Sequence, residues 1–167
     1  MTESFRTLSA VIAAHPNQEI VGRTRLQKTI CLLQRLGLPT DYLYTIHFYG
    51  PYSEDLHSEL RLLKNLDMVT EEETSLTGRE GVQYTIKATE LAQPKLVGKF
   101  QPQIDIMAKT ETVVLELAAT YDYFRHPNND HASALERLRY KKGSKCKGGN
   151  EERALDLLAK LAIPSRP

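Results

Sequence analysis

The sequence predicts an α+β chain that is mostly helical, and three observations predict it. Apolar residues recur at helical spacing in both halves of the chain, while period-two alternation is confined to short segments between residues 42 and 87. Gly and Pro separate these segments. At 167 residues, 41% hydrophobic and 26% charged, the chain suits one domain or a domain with an appended lobe, and its composition excludes disorder.

The first helix is expected from a cap at Ser4, with Phe5, Leu8, Val11 and Ile12 on one stripe. The apolar run Leu8 to Ala14 is read as this packed helix and not as a signal peptide, because Glu3 lies in its flank and no small-x-small site follows. A second helix is expected over 23–36 from Leu26, Ile30, Leu33 and Leu36, stopped by Gly37 and Pro39. From Tyr42 to Tyr49 the alternation of Tyr44, Ile46 and Phe48 with polar positions predicts a strand. Gly50-Pro51 is expected to turn, and Ser53 to cap a third helix over 54–66 with Leu56, Leu60 and Leu63 as its seam. Two strands, 68–72 and 82–87, flank a loop too long for a tight hairpin, which reads as an exposed wing.

Helix, helix, strand, helix, strand, loop, strand is the expected order of a winged helix-turn-helix core over 1–98. The remainder, 99–167, is expected to be a helical extension packed on that core. Val113, Val114, Leu117, Ala118, Tyr121 and Phe124 form the strongest face, on a helix over 110–124. Two helices follow, one capped at Asp130 or a neighbour and one at Asn150, separated by a basic, glycine-containing loop. There is no internal repeat.

Twenty-two Lys plus Arg against twenty-one Asp plus Glu leave a formal charge of +1, which excludes a uniformly basic nucleic-acid coat. Two cysteines, Cys31 and Cys146, do not make a disulfide framework, and the chain reads as cytoplasmic. No apolar run approaches the ~18 residues that span a bilayer.

The run Thr24-Arg25-Leu26-Gln27-Lys28-Thr29-Ile30-Cys31-Leu32-Leu33 resembles the Gln-Lys-apolar helix of YwgA-like proteins, and the related Panacea (SocA-like) antitoxin domains carry a similar helix. His47-Phe48-Tyr49-Gly50-Pro51-Tyr52-Ser53-Glu54-Asp55-Leu56 is similar to their Gly-Pro-Tyr-Ser signature, and Ala154-Leu155-Asp156-Leu157-Leu158 to the closing helix of YwgA-like chains. The resemblance spans most of the chain and is strongest over 22–70. It implies a winged-helix-like, non-enzymatic protein of prokaryotic or phage origin, from an antitoxin, mobile-element or defence context. The long helical second half fits the YwgA-like branch better than a minimal antitoxin domain.

Two readings of function follow. In the first, the chain binds a partner protein, through Tyr49 and Tyr52 as aromatic contacts and through the carboxylates of Glu54, Asp55, Glu71, Glu72 and Glu73. The bland counterpart is a structural Gly-Pro-Tyr-Ser turn and a solvated acidic face. Glu54 and Asp55 open the helix that would meet a duplex, and Glu71, Glu72, Glu73 and Glu80 outnumber Arg79 and Lys87 on the wing. That sign opposes DNA and suits a basic partner. In the alternative, Arg137, Arg139, Lys141, Lys142, Lys145 and Lys147, with Tyr140 among them, form a mobile cationic loop able to follow a nucleic-acid backbone. Arg23, Arg25 and Lys28 are candidates to extend it. The counterpart here is a solvated loop.

No catalytic constellation is expected, so the chain is read as not an enzyme, without cofactor or metal. His126, Asp130 and His131 lack zinc spacing, and Asp130 is better read as a cap. Cys31 reads as a core residue, and Cys146 between lysines as a thiol of lowered pKa if exposed.

Overall fold

A computed structural model describes residues 3–164 apart from 79, 127 and 128. Arg79 of the expected wing and the Pro127-Asn128 helix break thus lie outside the described residues.

Helix α1, Glu3–Ala14, buries Phe5, Leu8, Val11 and Ile12 as its period predicts. Ser4 is already inside the helix and does not cap it; its hydroxyl donates to Glu59 Oε1 at 2.8 Å. A 3₁₀ turn, Pro16–Gln18, then delivers the chain into strand β1, Glu19–Val21. Sequence periodicity misses this strand because a three-residue element with one buried side chain, Ile20, shows no alternation. Helix α2, Arg23–Arg35, follows, and Gly37 takes the left-handed conformation just past its end (φ 95°).

The expected strand from Tyr42 to Tyr49 shrinks to β2, Thr45–His47, paired with β3, Gly50–Tyr52, in a separate antiparallel ribbon. The turn therefore falls on Phe48 and Tyr49, while Gly50 and Pro51 lie in the strand. A two-stranded ribbon is all edge, so Pro51 forfeits no interior ladder bond there. Ser53 caps α3, Glu54–Asn65, as expected, its Oγ accepting from the Leu56 amide at 3.3 Å.

Strands β4, Val69–Ser75, and β5, Val82–Ala88, form the long hairpin, and β1 adds to its far edge. The antiparallel sheet has the order β1-β5-β4, with Ile20 opposite Ile86 and Val69 opposite Ala88. The strand that enters this sheet from the first half is thus β1, and β2–β3 is an insertion between α2 and α3.

A 3₁₀ segment, Pro94–Phe100, runs into α4, Gln101–Ala108, followed by α5, Thr112–Phe124. Asp130 caps α6, His131–Lys142, by accepting from the Ser133 amide at 2.8 Å. The expected mobile basic loop is instead helical: residues 137–142 complete α6, and Gly143–Cys146 is a 3₁₀ turn. Leu138 in the core and the half-buried Cys146 packed against it hold it down. Gly149 (φ 82°), and not Asn150, occupies the cap position of α7, Asn150–Lys160; Asn150 donates to the Lys145 carbonyl at 2.9 Å.

Helix α5 is the axis of the molecule, with every residue from Val114 to Asp122 buried. It packs on α2, α6, α7 and β3. Leu8 and Ile12 of α1, Leu26 and Ile30 of α2, Leu117 and Ala118 of α5, and Leu157 and Leu161 at the C-terminal end share one apolar cluster. At ~1.5–3 kcal/mol per fully buried aliphatic side chain, that cluster dominates the stability. Among the described residues no helix is long and apolar enough to cross a membrane.

Candidate functional site

The two motifs that stand out in the sequence meet in space. Gln27 on α2 clips Ser53: its Nε2 donates to the Ser53 carbonyl and its Oε1 accepts from the Ser53 amide, both at 2.9 Å. One helical position further on, Lys28 reaches the Pro51 carbonyl with its Nζ at 2.6 Å. Gly50 has φ 94°, and a Cβ there would overlap Thr120 Oγ1 of α5, so only glycine lets the strand lie that close. The Gly-Pro-Tyr-Ser segment is therefore a backbone docking strip, read by Gln27, Lys28 and α5.

Burying Lys28 (1% exposed) has an electrostatic cost, and loss of hydration pulls its ammonium down to about 8. Lys142 of α6 is also buried, its Nζ donating to Glu116 Oε1 at 2.6 Å and to the Phe48 carbonyl at 3.1 Å. Burial lowers its pKa as well, against the opposing pull of Glu116. Lys145 adds a bond to Glu116 at 2.9 Å and stands 5.0 Å from the Tyr49 ring centre. Three lysines thus lie within electrostatic reach of the same buried carboxylate beneath the β2–β3 hairpin.

Beside the hairpin opens a cleft of about 320 Å³ between α2, α3 and β2–β3. Its walls include Phe48, Tyr49 and Tyr52, with the His47 ring stacked on Tyr52 at 4.7 Å and His57 a further 6.3 Å from Tyr52. Arg23 stands at one end, stacked 3.6 Å over the Tyr84 ring and gripping Glu71 through two nitrogens at 2.6 and 2.9 Å. Phe48 (78% exposed) and Tyr49 (52% exposed) project at the hairpin tip, edge to face at 4.9 Å.

The other sequence-predicted site residues divide sharply. Glu54, Asp55, Glu72 and Glu73 are exposed. Glu71 differs from them: Arg23 and Lys64 enclose it, and their hydrogen bonds hold its carboxyl down at about 2. Its register on β4, facing the end of α3 and the start of α2, explains the difference from its neighbours. In the basic segment Lys142 and Lys145 are bound to Glu116, and Arg139 grips Glu151 at 2.6 and 2.8 Å. Arg137 lies 4.4 Å over the Phe124 ring. Lys141, Lys147 and Tyr140 remain exposed.

Nor do the α2 cations extend that patch, since Arg25 clamps the carbonyls of Met107 and Thr110 at 2.9 and 2.6 Å and Lys28 is interior. Burial pushes the Cys146 thiol up, opposite to the shift expected for an exposed cysteine between lysines, because it packs against the core. His131 bonds the Tyr121 hydroxyl at 2.6 Å. Among the described residues, no group of three or more His, Cys, Asp or Glu could hold a metal ion.

Sequence reasoning did not find the buried Lys28–Glu116–Lys142 set. Its signal was present: Glu116 is one charge inside Val113 to Ala119, and Gln27-Lys28 interrupts an apolar helix, whereas a solvated face repeats its charges at helical spacing.

Fold and site together define a mostly helical α+β protein with a pinned aromatic hairpin. The chain is similar, at 32% identity over 114 residues, to the Uncharacterized protein YwgA of Bacillus subtilis (strain 168). That match takes in 64% of this chain and 66% of the relative, just under two thirds of its length. No family profile matches the chain.

Proposed function

We propose that this is a non-enzymatic interaction protein that docks a partner protein on the tip of the β2–β3 hairpin. The observation that carries the proposal is the exposure of Phe48 and Tyr49 at 78% and 52% on a ribbon held by buried lysines. Exposed rings on a fixed backbone offer large contact area at little entropic cost, the property that makes aromatic residues binding hot spots. Glu54 and Asp55, exposed on the first turn of α3 just past the ribbon, supply polar rim contacts. The sequence resemblance to antitoxin domains and the helix, strand, helix, helix and hairpin order, with sheet order β1-β5-β4, support a winged-helix-like regulator acting by protein contact.

A photo-crosslinking residue at position 48, compared in the native host with one at Tyr140 (94% exposed on α6), tests this. Position 48 gives a discrete adduct that Tyr49→Ala weakens and position 140 does not give. Identical adducts from both positions, or none, refute the proposal. Nucleic-acid contact through the basic segment is the second reading, favoured by Tyr140 and Lys141 standing exposed together. It requires oligonucleotide affinity that falls steeply with salt and is lost in Lys141→Glu/Lys147→Glu.

A further inference from the structure

The cleft between α2, α3 and the hairpin carries an inference separate from docking at the hairpin tip. Aspartate and glutamate are absent from the described residues that line it, whereas Arg23, Lys28, His47 and His57 all do. Its remaining polar surface includes Thr24 and Gln27, and its flat walls are the rings of Phe48, Tyr49 and Tyr52. A volume of about 320 Å³ lies at the lower end of small-ligand pockets.

A second observation concerns the field behind the hairpin. Lys28, Lys142 and Lys145 lie around the single carboxylate of Glu116, and Lys28 itself reaches the cleft wall. Positive charge thus exceeds negative charge beneath the ribbon, where Lys28, Lys142 and Glu116 are shielded from water and Lys145 is half-buried. Low-dielectric walls focus such a field into a neighbouring concavity. Glu54 and Asp55 stand nearby on α3 but do not line the cleft, and Glu71 is enclosed by Arg23 and Lys64.

We infer that this cleft binds a small planar anion, with a ring against Tyr52 and Phe48 and a carboxylate or phosphate toward Arg23 and the imidazoles. The aromatic walls select the ring and the cationic lining selects the charge. Phe48 and Tyr49 serve both readings, but Arg23, the imidazoles and Tyr52 are not needed for the hairpin tip to meet a protein, so anion titration and crosslinking at position 48 succeed or fail separately.

Calorimetric titration of the full chain tests the inference with adenosine 5′-monophosphate, uridine 5′-monophosphate and benzoate as ring-bearing anions. Adenosine, uridine and benzamide are their neutral counterparts, and inorganic phosphate and acetate lack the ring. At least one ring-bearing anion binds saturably below about 1 mM, with its neutral and ringless counterparts weaker by about tenfold or more. A nucleotide or benzoate as that ligand distinguishes phosphate from carboxylate. Thr24→Glu, which puts a carboxylate on the cleft wall in the first turn of α2, weakens binding about tenfold or more. Thr77→Glu, adding the same charge in the exposed β4–β5 loop, leaves it unchanged. Tyr52→Ala reduces binding of the ring-bearing anion down to that of its ringless counterpart. Absence of saturable binding by all three anions, equal binding of the neutral compounds, or equal effects of Thr24→Glu and Thr77→Glu in folded protein overturns the inference.

Discussion

Replacing Lys28 with methionine removes a buried ammonium and leaves an unbranched side chain of similar length. In the folded chain burial brings the Lys28 amine from its ordinary 10.5 to about 8. At about 1.4 kcal/mol per pH unit, that difference opposes folding by about 3 kcal/mol at neutral pH. A group whose folded pKa is depressed is without penalty above its unfolded pKa. As pH falls the penalty grows from about 10.5 and is complete below about 8. Against it stands the bond from Nζ to the Pro51 carbonyl at 2.6 Å, worth roughly 1–3 kcal/mol when lost from a buried acceptor. At pH 7, therefore, Lys28→Met changes stability little, by about 0–2 kcal/mol in its favour.

The decisive quantity is the stability difference between the two proteins as pH changes. Urea unfolding at pH 7, 8, 9 and 10 is the assay. Stability of the native chain relative to Lys28→Met rises by about 2 kcal/mol or more between pH 8 and 10. Tyr42 and Tyr44, whose hydroxyls burial pushes up, lose stability as pH rises past the ordinary tyrosine range, but they are common to both proteins and cancel. A difference that stays flat over this window refutes the interior ammonium.

Three other expectations concern the same strip of backbone and its supports. Gly50→Ala costs about 2 kcal/mol or more, because it combines a left-handed backbone with overlap on Thr120 Oγ1; Gly22→Ala, at φ 101° with nothing near its Cβ, costs about 1 kcal/mol. Urea unfolding separates the two, and in a double-mutant cycle Thr120→Ala recovers part of the Gly50→Ala loss only. Gln27→Ala orphans the Ser53 amide at the entry to α3 and lowers stability by about 2 kcal/mol, whereas Gln34→Ala, which frees the Tyr42 backbone at a less buried position, costs less. For Glu71, whose folded carboxyl is held at about 2 against an ordinary 4.5, stabilisation is present above 4.5 and disappears as pH falls through 2. Acid titration of unfolding free energy shows that loss in the native chain, and Glu71→Gln lacks it.

Local signals made most helices legible. Leu26, Ile30 and Leu33 mark α2, Leu56, Leu60 and Leu63 mark α3, and the apolar density of α5 leaves no solvated face. What escaped was set by partners far along the chain. Strand β1 exists because Thr85–Lys87 offers it an edge, and nothing around Ile20 announces that pairing. Gly50-Pro51 reads as a turn from its own chemistry; the positive φ is there, but α5 and Lys28 hold the segment extended, so the reversal moves to Phe48 and Tyr49.

The site shows the same limit. Aromatic residues 49 and 52 were found because the motif contains them, yet Arg23, His47, Phe48 and His57 join them only through the packing of α2 and α3 on the ribbon. Charge misled most, since Lys142 and Glu71 have sequence neighbours identical in sign that face water while they do not.

The central place of α5 bears on how this chain is made. When the ribosome has added the residues before Thr112, the first helices, the ribbon and the sheet have all been synthesised, but Glu116 has not. Lys28 has then no neighbouring carboxylate to offset its charge, and the apolar flank of α2 stays wet. The packing of α2 and the ribbon is therefore complete only once α5 has been made and has taken its central place.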